Sequence, residues 1–379
     1  MNITITEDDR MLADAMQRFC QEVIAPAAAE MDEGSHSATR HRAALSDIGI
    51  MGMNLPEHCG GTGVSAVALY LSVEQLAAAC GSTASMVTAH FLATDSILLG
   101  GTEAQRQRWL PGAASGELLG GFALTEPNAG SNPAAMRTTA EKTETGYRLR
   151  GVKHFISNAA EADFLVVYAK TDKSAGHRGI SAFIVDRHAA GIEVSSPERT
   201  MGLKGGHVFE VALDCEVPAD SLLGGEEGKG FRTAMQVLDN GRVEIAASCT
   251  GIAGAALEAA LHWAKTREVN DHPIADFQGL QWMLADMATD LEAARMFGLR
   301  AASKREQGER FSQESAMAKL YASEAAGRIT DKALQIHGGY GYTREMPLER
   351  YARDVRIMRI YEGSSEVQRN IIARTLLND

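Results

Sequence analysis

The side chain best suited to acid–base chemistry lies in the segment RIYEGSSEVQRNIIAR, residues 359–374. Glu362 precedes a glycine and two serines, and Ser364 with Val367 and Gln368 downstream fits the N-terminal cap of a helix. A carboxylate in such a place is often only a favourable partner for the helix dipole. The segment alone therefore leaves two interpretations open, a catalytic base and a charge that stabilises a helix.

A polar pair lies in the segment LDNGRVEIAAS, residues 238–248. Asp239 and Arg242 are three residues apart, so on a helix they share a face. They form either a surface ion pair worth less than about 1 kcal/mol or a binding site for a polar arm of a substrate. Spacing does not choose between the two.

The segment GFALTEPNAGSNP, residues 121–133, offers polar groups to a ligand. A short apolar run enters a loop with free backbone N–H groups and the hydroxyls of Thr125 and Ser131. These groups suit a polar heteroaromatic ring or a thioester arm. The same residue types also form ordinary β-turns, so the loop has a purely structural interpretation as well.

Two more segments are suited to contact with a flat ligand. In GVKHFISNAAEAD, residues 151–163, we expect Phe155 and Ser157 to alternate on one face of a strand. There the ring covers a flat ligand and the hydroxyl bonds its edge, or the phenylalanine belongs to the core. In QIHGGYGYTRE, residues 335–345, three glycines permit close backbone approach to a ligand or form a tight turn between helices.

The elements that position these segments fall into three regions. Residues 1–118 have helical periodicity, residues 119–229 contain β-rich runs, and residues 230–379 return to long helical segments. Because no helix-length segment separates the strands, an antiparallel barrel or sandwich is favoured over a parallel sheet. The predicted class is α+β: an N-terminal helical domain, a middle antiparallel β-barrel or sandwich and a C-terminal helical bundle.

Three glycines inside the first C-terminal helix lower its stability, so a structural reason for them is expected. Gly241, Gly251 and Gly254 all lie within the helix predicted from Phe231 to about Val269. Each costs roughly 1 kcal/mol relative to alanine. We therefore expect close packing or a ligand at these positions.

Composition excludes several classes of function. The 379 residues carry a net charge of −12, which argues against nonspecific nucleic-acid binding. No apolar run reaches the ~20 residues that span a bilayer, and the N-terminal segment lacks a signal or transit pattern. With five scattered cysteines, we expect a cytoplasmic protein that does not enter a membrane. No G-x-G-x-x-G or H-E-x-x-H motif is present, and we predict no metal site.

Taken in order and spacing, these segments resemble the acyl-CoA dehydrogenase family over essentially the whole chain. The most specific matches are ALTEPNAGSN, LDNGRVEIAA, PIADFQGLQWMLADM, QIHGGYGYTREMPLERYARDVRI and IYEGSSEVQRNIIAR. The resemblance implies a C-terminal four-helix bundle after the helical and β domains. It also implies FAD as cofactor, an acyl-CoA substrate, a homotetramer whose neighbouring subunits share each flavin site, and an electron-transferring flavoprotein as electron acceptor.

The resemblance also assigns residues to the cofactor and the substrate. Those matched to the flavin ring are Phe122, Leu124, Thr125, Gly130, Ser131, Phe155 and Ser157. Those matched to the pyrophosphate and adenine half are Arg267, which reaches a neighbouring subunit's cofactor, and Gln278, Gln335, Gly338 and Gly339. Further cofactor contacts match Ser364 and Glu366. The substrate contacts are Ser131, Asp239, Arg242, Tyr361 and Gly363.

The resemblance places the catalytic base at one of two positions, those of Gly241 and Glu362. Glycine cannot accept a proton, so the assignment goes to Glu362. Its side chain would remove the α-proton while a hydride passes from the β-carbon to flavin N5, which gives a trans-2-enoyl-CoA. Burial beside the acyl chain and the flavin would raise the pKa of this carboxyl above the ordinary ~4.3.

The sequence departs from the family pattern after Arg267, where Asn270 and Asp271 replace the usual Phe-Gly. An acidic side chain there would repel a pyrophosphate. By position, residues 85–91 form part of the acyl-pocket floor, and their bulk, which includes His90, predicts a short or branched acyl group.

Alternative functions remain open at this stage. The same fold and flavin would also serve an enoyl-CoA reductase, a lyase or desulfinase, or an oxidase. Asp271 leaves room for a protein that binds acyl thioesters without a flavin.

Overall fold

The structure, a computed structural model, describes residues 3–34 and 36–378. Its N-terminal region is helical, with α1 Glu7–Phe19, α2 Ala28–Asp32, α3 Arg42–Asp47, α4 Ala66–Ala79, α5 Gly81–Gly100 and α6 Glu103–Ala114. A capping box starts α1, because Thr6 Oγ1 accepts from the Asp9 N–H at 3.1 Å and the Asp9 carboxylate accepts from the Thr6 N–H at 2.8 Å. Both α4 and α5 are mostly buried, which suits their apolar composition.

The middle region is a curled sheet that the described residues build from seven strands. The strands are β1 Gly120–Ala123, β2 Thr139–Lys142, β3 Gly146–Ser157, β4 Phe164–Lys170, β5 Ile180–Asp186, β6 Ile192–Val194 and β7 Val208–Pro218. The longest pairing, β3 with β7, is antiparallel. The pairing of β1 with β4 is parallel, from Gly120 opposite Phe164 onward, and β2 touches β4 in the same sense. The hairpin β2–β3 supplies the crossover that a parallel pair needs.

The C-terminal region is a helical bundle. Its helices are α7 Gly230–Thr266, α8 Gln278–Glu306, α9 Ser312–His337, α10 Leu348–Asp354 and α11 Ser365–Asn378. Helix α9 packs on both α7 and α8, and α4 packs on the same pair from the N-terminal side. Gly251 permits this approach, since a Cβ there would lie 2.1 Å from the Glu74 carbonyl oxygen. The α+β class and the order of its three regions are confirmed.

Helix α7 is the central helix of the bundle and packs against α4, α5, α8 and α9. Among the described residues it alone is long and apolar enough to cross a membrane by length and composition, although most of it is buried inside the protein. Burial in a core explains the same composition, so this helix is weak evidence for a membrane span.

The departure at Asn270 and Asp271 is a two-residue hairpin turn between β8, Glu268–Val269, and β9, His272–Pro273. Both residues have positive φ, 53° and 62°. Asn and Asp tolerate the left-handed region better than other side chains, and such a turn requires it twice. The two residues therefore have a local structural reason to be here.

Candidate active site

Glu362 lies in a strained loop between α10 and α11. Its φ is +52° and that of Gly363 is +95°, so the chain turns through left-handed backbone just before the last helix. Ser364 Oγ accepts from the Val367 N–H at 3.4 Å, as expected of a cap. Tyr361 and Gly363 are half-buried beside the carboxylate.

Two buried side chains that sequence reasoning missed hold this loop. Gln368 Nε2 donates to the carbonyl oxygens of Glu362 at 3.2 Å and Gly363 at 2.7 Å. Lys319 Nζ, on α9, donates to the same Gly363 oxygen at 2.6 Å. A lysine in the alanine-rich run AMAKLYAS, residues 316–323, was the available signal.

The Glu362 carboxylate faces Gly241. A Cβ on Gly241 would lie 2.3 Å from Glu362 Oε2, an oxygen shielded from solvent and without a hydrogen-bond partner among the described residues. Burial raises the pKa of Glu362 to about 7, while the charges of Lys319 and Arg242 oppose the rise. A buried carboxylate with a pKa near neutrality is suited to act as a general base.

Asp239 and Arg242 form a buried pair. Arg242 Nη1 donates to Asp239 Oδ1 at 2.5 Å, and Arg242 is only 4% exposed. Asp239 also accepts from the Ser312 hydroxyl at the start of α9. The interpretation as a surface ion pair is therefore wrong, because α9 covers these residues. Arg242 Nε has no partner in the described part of the chain and is available to a ligand.

The loop after β1 is held from below by a buried ion pair. Lys153 Nζ lies 2.9 Å from Glu126 Oε1 and also donates to the Leu124 carbonyl oxygen at 3.1 Å. The Glu126 carboxylate accepts from the N–H groups of Arg137 at 2.5 Å and Thr138 at 3.0 Å. Both charged residues lie within segments that the sequence singled out, but neither was predicted to matter.

This anchoring decides which predicted contacts reach the surface. Gly130 and Ser131 are exposed and Thr125 is half-buried. The Leu124 side chain packs in the core, and its carbonyl oxygen accepts from the buried Lys153. Phe122 packs against the ring of Tyr168 with centroids 5.1 Å apart.

The predicted alternation of Phe155 and Ser157 along a regular strand is wrong. The pairing of β3 with β7 shifts between Lys153 and Ile156, and Phe155 has a positive φ of 57°. This bulge leaves Phe155 58% exposed and stacked on His154, with ring centroids 4.0 Å apart. The interpretation as a core residue therefore fails, while Ser157 at the strand end is half-buried.

A surface cleft of about 410 Å³ lies at the far end of α7. Its lining includes Arg267, Gly338 and Gly339, and the Arg267 guanidinium lies 5.8 Å from the centre of the Tyr340 ring. A Cβ on either glycine would meet no described atom within 4 Å. Gln278 and Gln335 are exposed but fall outside the lining.

Models of a single protein family match the chain from end to end. The "Acyl-CoA dehydrogenase, N-terminal domain" matches residues 6–117, the middle domain 121–215 and the C-terminal domain 228–377. The chain belongs to the acyl-CoA dehydrogenase family. It is an oxidoreductase that acts on acyl-CoA, and its cofactor is FAD, as in the rest of the family.

Full-length relatives agree with this assignment. The acryloyl-CoA reductase (NADH) of Anaerotignum propionicum is 39% identical over 100% of this chain and 96% of the relative. The butyryl-CoA dehydrogenase structure from Megasphaera elsdenii is 38% identical with a TM-score of 0.97, and covers 100% of both chains. A chain from a study of the electron-transferring flavoprotein of Acidaminococcus fermentans is 41% identical, also with a TM-score of 0.97 and full coverage of both.

The residues present in this member of the family fit FAD. Phe155 offers an exposed ring, Gly338 and Gly339 leave open space beside the Arg267 cation, and Glu362 Oε2 is a buried oxygen without a partner among the described residues. When FAD is bound, it supplies the acceptor for a hydride. Exposed Glu366, whose pKa is lowered by a hydrogen bond with Ser364, lies four residues after Glu362, in the first turn of α11.

Two parts of the predicted cofactor site are far apart in one chain. Gly241, which faces Glu362, lies 25 residues before Thr266 at the end of α7. At 1.5 Å per residue that is about 38 Å of helix, longer than an extended FAD molecule. The cleft at Arg267 and the carboxylate of the same chain therefore cannot hold one FAD together.

The residues predicted to form the acyl-pocket floor have other partners. Met86 and Val87 belong to the main core. His90 accepts from the Gly120 N–H at 2.9 Å, and its other ring nitrogen lies 3.2 Å from the Ala113 carbonyl oxygen. The prediction that His90 narrows the pocket is wrong, because both nitrogens tie backbone groups together. Leu92 is the α5 side chain that faces the site, 2.7 Å from where a Gly241 Cβ would lie.

Proposed function

We propose that this enzyme dehydrogenates an acyl-CoA between the α- and β-carbons, with Glu362 as the base, to give a trans-2-enoyl-CoA. The observation that carries the proposal is the buried, unpartnered Glu362 Oε2 opposite Gly241. The α-proton moves to this carboxylate, and the electron pair of the broken C–H bond forms the new double bond. Bound FAD would supply the acceptor for the hydride that leaves the β-carbon.

The surrounding side chains bind and orient the thioester. The backbone N–H of Glu362 donates to the thioester oxygen, where negative charge develops as the α-proton leaves. Arg242, fixed by Asp239, contacts the polar arm of the substrate with Ser131 on the opposite side. Tyr361 and Gly363 line the same space, and Leu92 excludes water beside the acyl group.

The site is shared between subunits of a homotetramer. About 38 Å of helix separates the Arg267 cleft from the carboxylate region of its own chain, so a neighbour must supply one of them to each FAD. Phe122, Leu124, Thr125, Gly130, Phe155 and Ser157 then contact the flavin ring in one subunit. Arg267, Gln278, Gln335, Gly338 and Gly339 contact the other half of the cofactor from the next subunit.

The substrate is a short acyl-CoA, and an electron-transferring flavoprotein accepts the electrons. The match to butyryl-CoA dehydrogenase supports the first, and the match to a chain studied with an electron-transferring flavoprotein supports the second. Leu92 and Glu362 both lie close to Gly241, which is consistent with a small acyl group there.

Reduction of an enoyl-CoA is the second candidate. The acryloyl-CoA reductase relative supports it. A pKa of about 7 keeps part of the Glu362 population protonated at neutral pH, so the same carboxyl can also donate the α-proton in the reverse direction. Flavin reduction by NADH followed by reoxidation with an enoyl-CoA, faster than turnover with the saturated thioester, would favour this direction.

The test is flavin bleaching under anaerobic conditions with butyryl-, isobutyryl- and octanoyl-CoA. We expect bleaching by the short thioesters, and a preference for octanoyl-CoA would contradict the short-chain proposal. Glu362→Gln should retain flavin and lose at least about 100-fold in rate. Glu292→Gln, at an exposed position on α8, is the matched control. Turnover by Glu362→Gln equal to that of the control would refute the assignment.

A further inference from the structure

Lys319 is a fully buried lysine that the proposed reaction does not use. It lies on the face of α9 toward α7 and the Glu362 loop, and its relative exposure is 0%. Its neighbours along the helix include the buried Ala316, Ala318 and Ala322. A buried ammonium among alanines costs free energy unless a partner compensates. Its hydrogen-bond partner among the described residues is a backbone carbonyl, that of Gly363, at 2.6 Å.

That carbonyl belongs to the most strained part of the site. Glu362 is a non-glycine residue in left-handed backbone, which costs on the order of 1–2 kcal/mol. Strain of this kind persists only where the surroundings hold it. Here Lys319 from α9 bonds the Gly363 carbonyl, and Gln368 from α11 bonds the carbonyls of both Glu362 and Gly363, so two helices hold the loop.

The charge of Lys319 also acts on the base. The ionisable groups close enough to change the pKa of Lys319 are Glu362 in the loop, Arg242 and Cys249 on α7, and Glu324 on its own helix. The positive charges of Lys319 and Arg242 in turn lower the pKa of Glu362. Two cations lie near the Glu362 carboxylate. Arg242 is already paired with Asp239, whereas Lys319 has no carboxylate at hydrogen-bond distance among the described residues.

We propose that Lys319 is a positioning residue for Glu362, one that holds the loop 361–364 against α9 and supplies the positive charge that keeps the carboxylate ionised near neutral pH. The proposal rests on the proposed function, in which Glu362 is the base. Burial lowers the pKa of Lys319 to about 8, and the negative groups around it limit the fall, so the ammonium is charged at pH 7.

The test compares Lys319→Met, Lys319→Arg and a control, Lys332→Met, in the FAD-loaded enzyme. Lys332 lies on the same helix and pairs with Asp286 at 2.7 Å on the outer side. Acetoacetyl-CoA serves as a probe without turnover, because its β-carbon is a carbonyl and has no hydride to give. The absorbance of its enolate, followed against pH, reports removal of the α-proton alone.

We expect Lys319→Met to move the pH midpoint of enolate formation up by about 1 pH unit, as loss of a nearby opposite charge does. At pH 7 its kcat with butyryl-CoA should fall about 5-fold, because the ionised fraction of the base drops from about one half to about one tenth, with KM changed less than about 2-fold. Lys319→Arg keeps the charge and should keep the midpoint, while its longer side chain displaces the loop and lowers kcat. Lys332→Met should match the wild type in every measurement.

A Lys319→Met enzyme with the midpoint and kcat of the Lys332→Met control would overturn the proposal. If Lys319→Met does not fold, Lys319→Arg decides: wild-type kcat, or a midpoint shifted upward despite the retained charge, would overturn it. Glu362→Gln separates the two levels of inference. A midpoint of enolate formation in Glu362→Gln equal to that of the wild type removes the proposed function itself. A midpoint shifted upward in Glu362→Gln but unshifted in Lys319→Met removes only the role of Lys319.

Discussion

Gly241 and Glu362 compete for one space: a Cβ on the glycine would lie 2.3 Å from Glu362 Oε2 and 2.7 Å from Leu92 Cδ2. The missing side chain on α7 is thus what admits the carboxylate into the site. Resemblance to the family gave these two positions as alternative locations for the base. The geometry supplies a physical reason for the alternative, because the two side chains would occupy the same volume.

Gly241→Ala is expected to lower kcat at least about 10-fold while the fold is retained, since the carboxylate must move away from the new methyl group. Steady-state kinetics and the flavin spectrum measure the two effects. Gly254→Ala in the same helix is the control, because its Cβ would meet nothing closer than 3.9 Å. That variant should keep full activity and gain up to about 1 kcal/mol in stability. Equal activity of the two variants would contradict the argument.

The rate should depend on pH through Glu362. The base acts in its ionised form, and burial raises its pKa to about 7, so kcat/KM should rise with pH through a midpoint near that value. A profile of kcat/KM against pH with a saturating electron acceptor measures it. A midpoint near the ordinary value of ~4.3 would show that the carboxylate is solvated in the free enzyme.

Loss of the buried Lys153–Glu126 pair should destabilise the protein strongly. Lys153→Met leaves Glu126, which is 3% exposed, without its cation, and such a change costs about 3–5 kcal/mol. Urea unfolding measures the loss. Lys173→Met, at an exposed pair with Glu141 3.9 Å away, should change stability by less than about 0.5 kcal/mol. A cost below about 1 kcal/mol for Lys153→Met would mean that water reaches the pair.

Glu244 should make stability fall as the pH rises. Burial and the nearby charge of Asp95 raise its pKa to about 8, against 4.5 for a free side chain, while Arg305 at 3.5 Å opposes the rise. Because the folded pKa is the higher one, its contribution is complete below pH 4.5 and is lost as the pH rises through about 8. From about pH 7 to about pH 9 the loss is about 1 kcal/mol. In urea unfolding between about pH 7 and about pH 9, the Glu244→Gln variant should not show this loss of stability. Wild type and variant that lose the same free energy of unfolding over this range would contradict the prediction.

Local patterns in the sequence predicted the elements well. The helix expected from Phe231 to about Val269 lies at Gly230–Thr266, and the long helical segments expected in residues 230–379 include Gln278–Glu306 and Ser312–His337. Helical periodicity and capping are properties of neighbouring residues, so sequence is sufficient for them. The parallel pairing of β1 with β4 was missed, because it joins strands about forty residues apart.

The burial of charged groups was not predictable in the same way. Arg242 resembled half of a surface ion pair, and Lys153 and Lys319 resembled ordinary polar residues of a strand and a helix. Each is buried because an element distant in sequence covers it: α9 over Arg242, the loop of Glu126 over Lys153, and the Glu362 loop over Lys319. The prediction for Phe155 was wrong in the opposite direction. Its strand pattern placed the ring on one regular face, but a bulge exposes it.

By itself the sequence determined the three regions, the bounds of the long helices and, through residue identity at positions 241 and 362, which of the two can carry a base. Tertiary structure alone decided that Glu362 is shielded opposite Gly241, that Lys319 and Gln368 hold its loop, and that the Arg267 cleft lies at the other end of about 38 Å of α7 from the Gly241 position. The reason is that desolvation and Coulomb interaction depend on distances in space, and folding sets those between residues far apart in the chain.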